Sequence, residues 1–369
     1  MENSNPQFEN PYAQSNPYVQ PAQDVNPYLQ PVTPVFEAKP HRKVFSRTGL
    51  SYFAFLVVAS VLQVIIKLVV DAFFPRLLDN YLARMLLALI PMYLGGAPVA
   101  YLILKKVPSE PPERRPWGPA QYIGGFVVAY GFMYLGNFIG TYIGLIIQTL
   151  FPGTTAATNE VQNMVLTGEM WVNVLFMVMV GPVVEELLFR KLLVDKFKVY
   201  GDWIAVLVSG LMFGLFHGNL TQGIYTFLFG CILAYIYLKT GNILITISYH
   251  VIINFLGSVI PLLVLSGIDL NELSEAFSSG DLELASEYIY ENSTVLGIYG
   301  LYMMMVFGGV IAGIVIFIVT LARGRITMNP GRIVIPSGKR FSVVMINVGM
   351  ILFVVSCLLS VVLSMIDLS

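Results

Sequence analysis

Long apolar runs recur along this chain from Ser51 almost to its end, and they restrict the folds that are open to it. A run of about 20 apolar residues is long enough to cross the hydrocarbon of a bilayer as a helix. Charged residues make up only 12% of the 369 residues, so a soluble protein of this composition could not cover its own surface. The sequence therefore predicts an all-α, polytopic transmembrane helical bundle. The predicted spans number about nine and cover residues 51–71, 82–104, 121–150, 170–199, 203–220, 222–239, 243–265, 296–322 and 342–366.

Charge and cysteine content exclude several classes of protein. The formal net charge is -1, which argues against a nucleic-acid partner, because such a partner needs a concentrated basic face. The two cysteines, Cys231 and Cys357, both lie inside apolar runs. A disulfide framework and a cysteine-based zinc site are therefore excluded.

The N-terminal region differs in kind from the rest of the chain. It carries a degenerate NPYxQ repeat that begins at Asn10, at Asn16 and again at Asn26. Segments this rich in proline, asparagine and glutamine bury too little apolar surface to offset the entropy of ordering, so residues 1–48 are expected to be disordered. Two interpretations remain open, a docking tail for a cytoplasmic partner and a solvated leader without a specific role. A cleaved signal peptide is not expected, because no apolar stretch follows Met1.

The lysines and arginines predict how the bundle lies in the cell membrane. Basic residues cluster before the first span and after the second, fourth, sixth and eighth spans, whereas residues 151–170 and 266–295 contain none. Because cytoplasmic loops carry the excess of basic residues, we expect a cytoplasmic N-terminus, an external 266–295 loop and an external C-terminus. That loop carries seven acidic residues, and it is either a partner-docking surface or a short amphipathic excursion.

These patterns divide the chain into five parts. The expected domains are the tail 1–48, two accessory spans in 49–120, a membrane core in 121–265, the acidic external loop 266–295 and two C-terminal spans in 296–369.

Ionisable side chains inside apolar spans are costly, so they are functional candidates by default. The fourth span contains Glu185, Glu186 and Arg190. The fifth contains Phe213 and His217, and the seventh contains His250 and Asn254. Of the three histidines in the chain, two are therefore in predicted membrane helices.

Spacing predicts that these groups meet at comparable depth. Gly201 reads as a helix stop and Asp202 as an N-cap, which makes the fourth and fifth spans an antiparallel hairpin. Glu185 precedes Gly201 by 16 residues and His217 follows it by 16, so each lies about 24 Å of helix from the turn. His250 and Asn254 share one helical face.

The two glutamates cannot serve the same purpose. Adjacent helical residues diverge by about 100°, so Glu185 and Glu186 cannot both face one point. Glu186 stands four residues before Arg190, the favourable spacing for an intrahelical ion pair. One glutamate is then free for chemistry and the other is structural, but the spacing does not decide which.

Such a set of side chains fits a hydrolase acting on a carbonyl group. A carboxylate and an imidazole can remove a proton from water, and a second imidazole with an asparagine amide can donate hydrogen bonds to a developing oxyanion. The same carboxylate and imidazoles could instead bind zinc, although an asparagine amide is a poor zinc ligand. A third interpretation is that these groups only hydrogen-bond helices to one another.

At these residues the sequence resembles the CPBP family, the type II CAAX-protease and bacteriocin-processing group also called Abi proteins. The family pattern is EExxxR, FxxxH and HxxxN or HxxxD on successive helices, and this chain matches it at Glu185 to Arg190, Phe213 to His217 and His250 to Asn254. The resemblance covers roughly residues 120–265. It implies an intramembrane endopeptidase that acts on a membrane-embedded protein or peptide.

The resemblance also implies a role for each motif residue. Glu185 would activate water with His217, while His250 and Asn254 would stabilise the oxyanion. The site-positioning residues would be Glu186, Arg190 and, packed beside them, Phe213. The preferred mechanism requires no cofactor. A divalent metal such as zinc, if it were used, would be held by Glu185, His217 and His250.

Family members differ in their substrates, which leaves the substrate of this chain open. Eukaryotic members trim prenylated CAAX proteins, and bacterial relatives are linked to bacteriocin maturation, self-immunity or the anchoring of surface proteins. A different class of function is a non-proteolytic membrane scaffold or immunity protein that binds a peptide. A transporter is disfavoured, because the sequence shows no internal symmetry between halves.

Overall fold

A computed structural model of the chain describes residues 36–154 and 168–366. The described residues form twelve helices and no named strand, which confirms the all-α class. The helices are α1 (Ala38–Phe73), α2 (Tyr81–Leu104), α3 (Pro119–Leu150), α4 (Met170–Tyr200), α5 (Asp202–Phe216), α6 (Leu220–Thr240), α7 (Ile243–Leu265), α8 (Leu270–Ser278), α9 (Leu282–Glu291), α10 (Ser293–Ala322), α11 (Arg340–Val344) and α12 (Val348–Ser364).

Most of these helices are long and apolar enough to cross a bilayer. Seven meet that description in the described part of the chain, namely α1, α2, α3, α4, α6, α7 and α10. The helical segment 337–344, which includes α11, forms an eighth candidate together with α12, although the two are bent by 66°. Helix α5 is apolar but has only 15 residues. Counting all of these gives about nine spans, so the chain is a multi-pass membrane protein.

The structure corrects several predicted boundaries. Helix α1 begins at Ala38, so residues 38–48 are helical although they were assigned to the disordered tail. The NPYxQ repeats lie outside the described residues. The last predicted span, 342–366, is not one straight helix, because the chain breaks between α11 and α12 and Asn347 caps α12 by accepting a hydrogen bond from the N–H of Met350.

The fifth span also ends earlier than predicted. Helix α5 ends at Phe216 instead of continuing to residue 220. Gly218 has φ +62, a left-handed conformation that favours glycine, and Asn219 then caps α6 by accepting from the N–H of Gln222 at 3.1 Å. His217 therefore lies at the end of a short helix and not in the middle of a long one.

Prolines coincide with wide π-helical turns in three of the spans. Such turns occupy Pro91–Gly96 in α2, Val174–Val180 in α4 and Phe255–Val259 in α7. Pro91 opens the first, and Pro182 and Pro261 follow the other two by two residues. A proline lacks an N–H group and its ring crowds the preceding turn, so the helix around it departs from regular hydrogen bonding. In α4 a second π segment, Leu187–Leu192, follows the two glutamates, so Gly181–Glu186 is enclosed between two widened turns.

Glycines bring α5 and α6 into close contact. A side-chain carbon on Gly214 would lie 2.6 Å from the carbonyl oxygen of Gly223, and one on Gly230 would lie 3.1 Å from the Cα of Gly210. Small residues at such contacts let helix backbones approach closely in a membrane. This packing fixes the end of α5, and with it His217, against the start of α6.

At the end of the bundle where basic residues cluster, side-chain contacts hold the connecting segments against the helices. Gly201, with φ +107, occupies the N-cap of α5, so Asp202 is not the N-cap that the sequence suggested. The Asp202 carboxylate instead pairs with Lys239 at 2.7 Å and accepts from the N–H of Asn329 at 3.0 Å. It thereby joins α5, α6 and the segment that follows α10.

The acidic segment between α7 and α10 contains two short amphipathic helices, α8 and α9. Ile268, Ala276 and Tyr288 form a small buried cluster between them, and Asp281 caps α9 by accepting from the N–H of Glu283 at 2.9 Å. This cluster ties α8 and α9 together, while Phe277, Leu282 and Ile289 remain exposed.

Candidate active site

The two adjacent glutamates of α4 have different surroundings. The Glu186 side chain has no exposed surface, and its Oε2 lies 3.2 Å from Arg190 Nε, which is the ion pair that the spacing predicts. Its Oε1 lies 3.1 Å from His250 Nδ1. In contrast, 28% of the Glu185 side chain is exposed, and its Oε2 lies 3.6 Å from His250 Nε2. Glu186 is thus fully engaged in holding helices together, while Glu185 remains accessible.

Arg190 is buried as completely as Glu186. Its guanidinium carbon lies 4.5 Å from the centroid of the Phe213 ring, and Nη1 lies 3.5 Å from Ser209 Oγ. Among the described residues, neither Arg190 Nε nor Glu186 Oε2 has a well-aligned hydrogen-bond partner, so charge attraction holds this pair. A buried charge without its partner is strongly destabilising, which makes the two side chains mutually dependent.

Phe213 separates the buried arginine from both histidines. Its ring is fully buried and packs edge-on to the His217 ring at 4.9 Å and to the His250 ring at 5.8 Å between centroids. Phe213 therefore contacts Arg190 with its face and fixes the position of both imidazoles. The sequence predicts this packing role, and the structure gives it a geometry.

His217 is oriented by the helix that it ends. Its Nδ1 lies 2.8 Å from the carbonyl oxygen of Phe213, four residues earlier. A carbonyl only accepts, so Nδ1 carries the proton, and Nε2 of the neutral ring is left as a base or ligand. The ring is partly exposed, so Nε2 is available for chemistry.

His250 lies between the two carboxylates and is nearly fully buried. Because Glu186 accepts at Nδ1, that nitrogen carries a proton, and Nε2 donates only when the ring holds a second proton. The Phe229 ring, 5.1 Å away and edge-on, closes the other side of the imidazole. His250 therefore contacts both glutamates.

Asn254 compensates for a missing hydrogen bond in α4. The N–H of Gly181 donates to the carbonyl of Phe176, as expected in a π turn, and Pro182 has no N–H to offer to Met177. The Asn254 amide nitrogen donates to that carbonyl of Met177 at 2.9 Å. One of its two N–H groups is thereby used in joining α7 to α4, and the other remains for a ligand.

Two residues at the site, Ser209 and Tyr93, were not predicted from the sequence. Ser209 donates to the carbonyl of Phe189 at 2.6 Å and contacts Arg190, and it could have been noticed as a polar residue four positions before Phe213. Tyr93 of α2 lies beside Gly181 and Glu185, but a tyrosine in an apolar helix is commonplace. Neither belongs to the motif pattern.

The suggested metal ligands do not fit a metal as they are placed here. In the parts of the chain that the structure describes, no group of three or more His, Cys, Asp or Glu side chains is arranged so that it could hold a metal ion. His250 in particular has a carboxylate at each ring nitrogen.

A comparison with protein families identifies the part of the chain that holds this site. Residues 167–256 match the family model described as type II CAAX prenyl endopeptidase Rce1-like. Residues 167–256, the Rce1-like segment, are therefore similar to that family. The match confirms the family resemblance, and it contains every motif residue from Glu185 to Asn254. It is narrower than the expected core of 121–265, and Tyr93 lies outside it.

Comparisons with curated proteins and with solved structures gave no significant match. The Rce1-like segment covers about a quarter of the chain.

Proposed function

We propose that this protein is an intramembrane endopeptidase in which Glu185 is the general base that activates water. The observation that carries the proposal is the asymmetry of the two glutamates. Glu186 is buried and neutralised by Arg190, whereas Glu185 is 28% exposed and its ionic partner among the described residues is the more distant His250 Nε2. Of the two glutamates, Glu185 is the one whose carboxylate is accessible and can accept a proton from water.

The reaction is hydrolysis of an amide bond. Glu185 takes a proton from water, and the water oxygen attacks the carbonyl carbon to form a tetrahedral intermediate. The carbon–nitrogen bond then breaks, and the proton passes from Glu185 to the departing amine. His217, with Nε2 available, assists in directing the water and the proton.

The proposed donors to the oxyanion are the Nε2–H of His250 and the second N–H of Asn254. Because Nδ1–H of His250 donates to Glu186, Nε2 donates only in the doubly protonated ring, and this is the form that the proposal requires. Donors that are already in place when the charge develops stabilise the transition state without reorganisation. Glu186 holds His250 through Nδ1, and the carbonyl of Met177 holds Asn254. Both donors are therefore fixed by contacts with α4, the helix that also carries the base.

The proposed substrate is a membrane-associated protein or peptide. The site is built from α4, α5, α6 and α7, and α5 is about 22 Å long, which is less than the roughly 30 Å hydrocarbon core. The turn that follows α5 is non-helical backbone. At membrane depth such backbone is tolerated only where protein encloses it or where it lines a cavity.

The test compares membranes from cells that carry the wild type with membranes from cells that carry Glu185→Gln at equal protein level. Mass spectrometry of peptides and protein termini should find cleavage products only with the wild type. A synthetic fluorogenic peptide that spans the cleaved bond then becomes the substrate for kinetics in lipid vesicles. Identical peptide sets would contradict the proposal and favour a non-proteolytic scaffold or immunity protein.

A further inference from the structure

Helix α2 lies outside the Rce1-like segment but packs in register with α4. Tyr81 donates its hydroxyl proton to Asn173 Oδ1 at 2.5 Å. Tyr81 and Met85 of α2 form a buried cluster with Val172 of α4, and Leu89 and Met177 pack against it. Tyr81, Met85, Leu89 and Tyr93 follow one another at four-residue intervals, so they lie along one side of α2.

The residues of α4 that face α2 form a similar row, and that row ends at Glu185, the proposed base. Asn173, Met177, Gly181 and Glu185 are also spaced by four residues. The contacts begin at Tyr81 with Asn173 and continue to Tyr93 with Gly181, so the two helices run in the same direction. Tyr93 is thereby brought to the level of Glu185.

Gly181 lies where Tyr93 of α2 meets Glu185 of α4. A carbon placed on Gly181 would lie 3.5 Å from the Tyr93 hydroxyl oxygen and 3.9 Å from Glu185 Oε1, so the phenol and carboxylate oxygens both lie close to one point. The carbonyl oxygen of Phe176 is 2.9 Å from the same carbon and already accepts from the N–H of Gly181. A water that contacts both the phenol and the carboxylate has two polar partners.

We propose that Tyr93 is a further catalytic residue, whose hydroxyl shares the nucleophilic water with Glu185 near Gly181. Glu185 accepts one proton of the water, and the phenol oxygen accepts a hydrogen bond from the other. Two fixed contacts direct the lone pair of the water towards the substrate carbonyl. This inference rests on the proposed role of Glu185 and extends the active site to a helix that the family match does not include.

The test is the kinetics of Tyr93→Phe in vesicles with the fluorogenic peptide. Phenylalanine keeps the ring but removes the hydroxyl, so we expect kcat to fall about 10- to 100-fold while KM and thermal stability stay near those of the wild type.

Tyr81→Phe is the matched control. It removes a hydroxyl from the same side of α2, but the lost hydrogen bond is to Asn173, three helical turns from Glu185. We expect lower thermal stability with an unchanged kcat.

The outcomes separate this inference from the proposed function. Wild-type kcat in Tyr93→Phe, in a protein whose cleavage depends on Glu185, overturns the role of Tyr93 and leaves the endopeptidase proposal intact. A fall in the kcat of Tyr93→Phe that comes with a loss of thermal stability as large as that of Tyr81→Phe overturns it as well. If no cleavage depends on Glu185, both proposals are wrong.

Discussion

At the residue scale, the site depends on how the protein separates two neighbouring carboxylates. Glu186 has two partners, Arg190 and His250, and no exposed surface, while Glu185 keeps a partly exposed carboxylate. Burying an ion pair costs desolvation free energy that only good partners offset. The Glu186–Arg190 pair therefore serves to fix the positions of His250 and Phe213. Its effect on stability becomes measurable when one of the two residues is removed.

Arg190→Ala should unfold or severely destabilise the protein. The change leaves Glu186 charged and unpaired in the interior, at a cost of about 3–5 kcal/mol. Thermal unfolding in detergent and the monodisperse folded yield measure this loss. The control is Arg115→Ala, which removes the partner of Glu113 in an ion pair whose two side chains are both exposed, and it should cost about 1 kcal/mol or less. Equal stability of the two variants would contradict a buried ion pair at Glu186.

The sequence predicts which residues form the site, but not which of the two glutamates is buried and which is accessible. Spacing shows that Glu185 and Glu186 diverge and that Arg190 can reach Glu186, and the structure contains that ion pair. Which acid is buried depends on the face that α4 turns towards α7, and a hydropathy pattern does not resolve this. Tyr93 was missed because its proximity to Glu185 arises from helix packing across about 90 residues of sequence.

At the element scale, the irregularity of α4 connects it to α7. The π turn Val174–Val180 and Pro182 leave the carbonyl of Met177 without a partner inside the helix, and Asn254 fills that position. Apolar periodicity predicts the extent of α4 well, yet it does not distinguish a widened turn from a regular one. Pro182 was the available signal, since a proline inside a helix removes a hydrogen bond.

Pro182→Ala should reduce cleavage without reducing stability. Alanine supplies an N–H group that can bond within α4 and compete with Asn254, and it removes a residue that costs about 3 kcal/mol in a helix interior. We expect equal or higher thermal stability and a kcat at least about tenfold lower, because the oxyanion donor is displaced. The control is Pro261→Ala in α7, which lies beyond the π turn of that helix. Full activity of Pro182→Ala would show that the irregular turn is not needed.

At the scale of the whole molecule, the bundle surrounds a small family core with additional helices. The Rce1-like segment ends at residue 256, while α1, α2, α3, α10 and α12 lie outside it. Apolar runs predict these spans closely. The bend of 66° before α12 was not predicted, because it depends on the conformation around Asn347 and not on hydropathy.

The orientation predicted from basic residues is testable by labelling single cysteines. Ser279→Cys lies on the acidic segment and Ser337→Cys lies after the basic segment that follows α10, and both serines are exposed. In intact cells an impermeant maleimide should label the first and not the second. Cys231 is half-buried and Cys357 is buried, which limits background labelling. Labelling of both or of the second alone would contradict the orientation.

The most direct test of the central claim compares Glu185→Gln with Glu186→Gln in the vesicle assay and in thermal unfolding. Glutamine keeps the size of the side chain and removes its charge. Glu185→Gln should lower kcat by roughly 100- to 10,000-fold, the range for loss of a general base, and leave thermal stability unchanged. Glu186→Gln should lower thermal stability, because Arg190 is left buried without its counter-charge. Cleavage that survives in Glu185→Gln, or a loss of stability in that variant equal to the loss in Glu186→Gln, would contradict the assignment of Glu185 as the catalytic base.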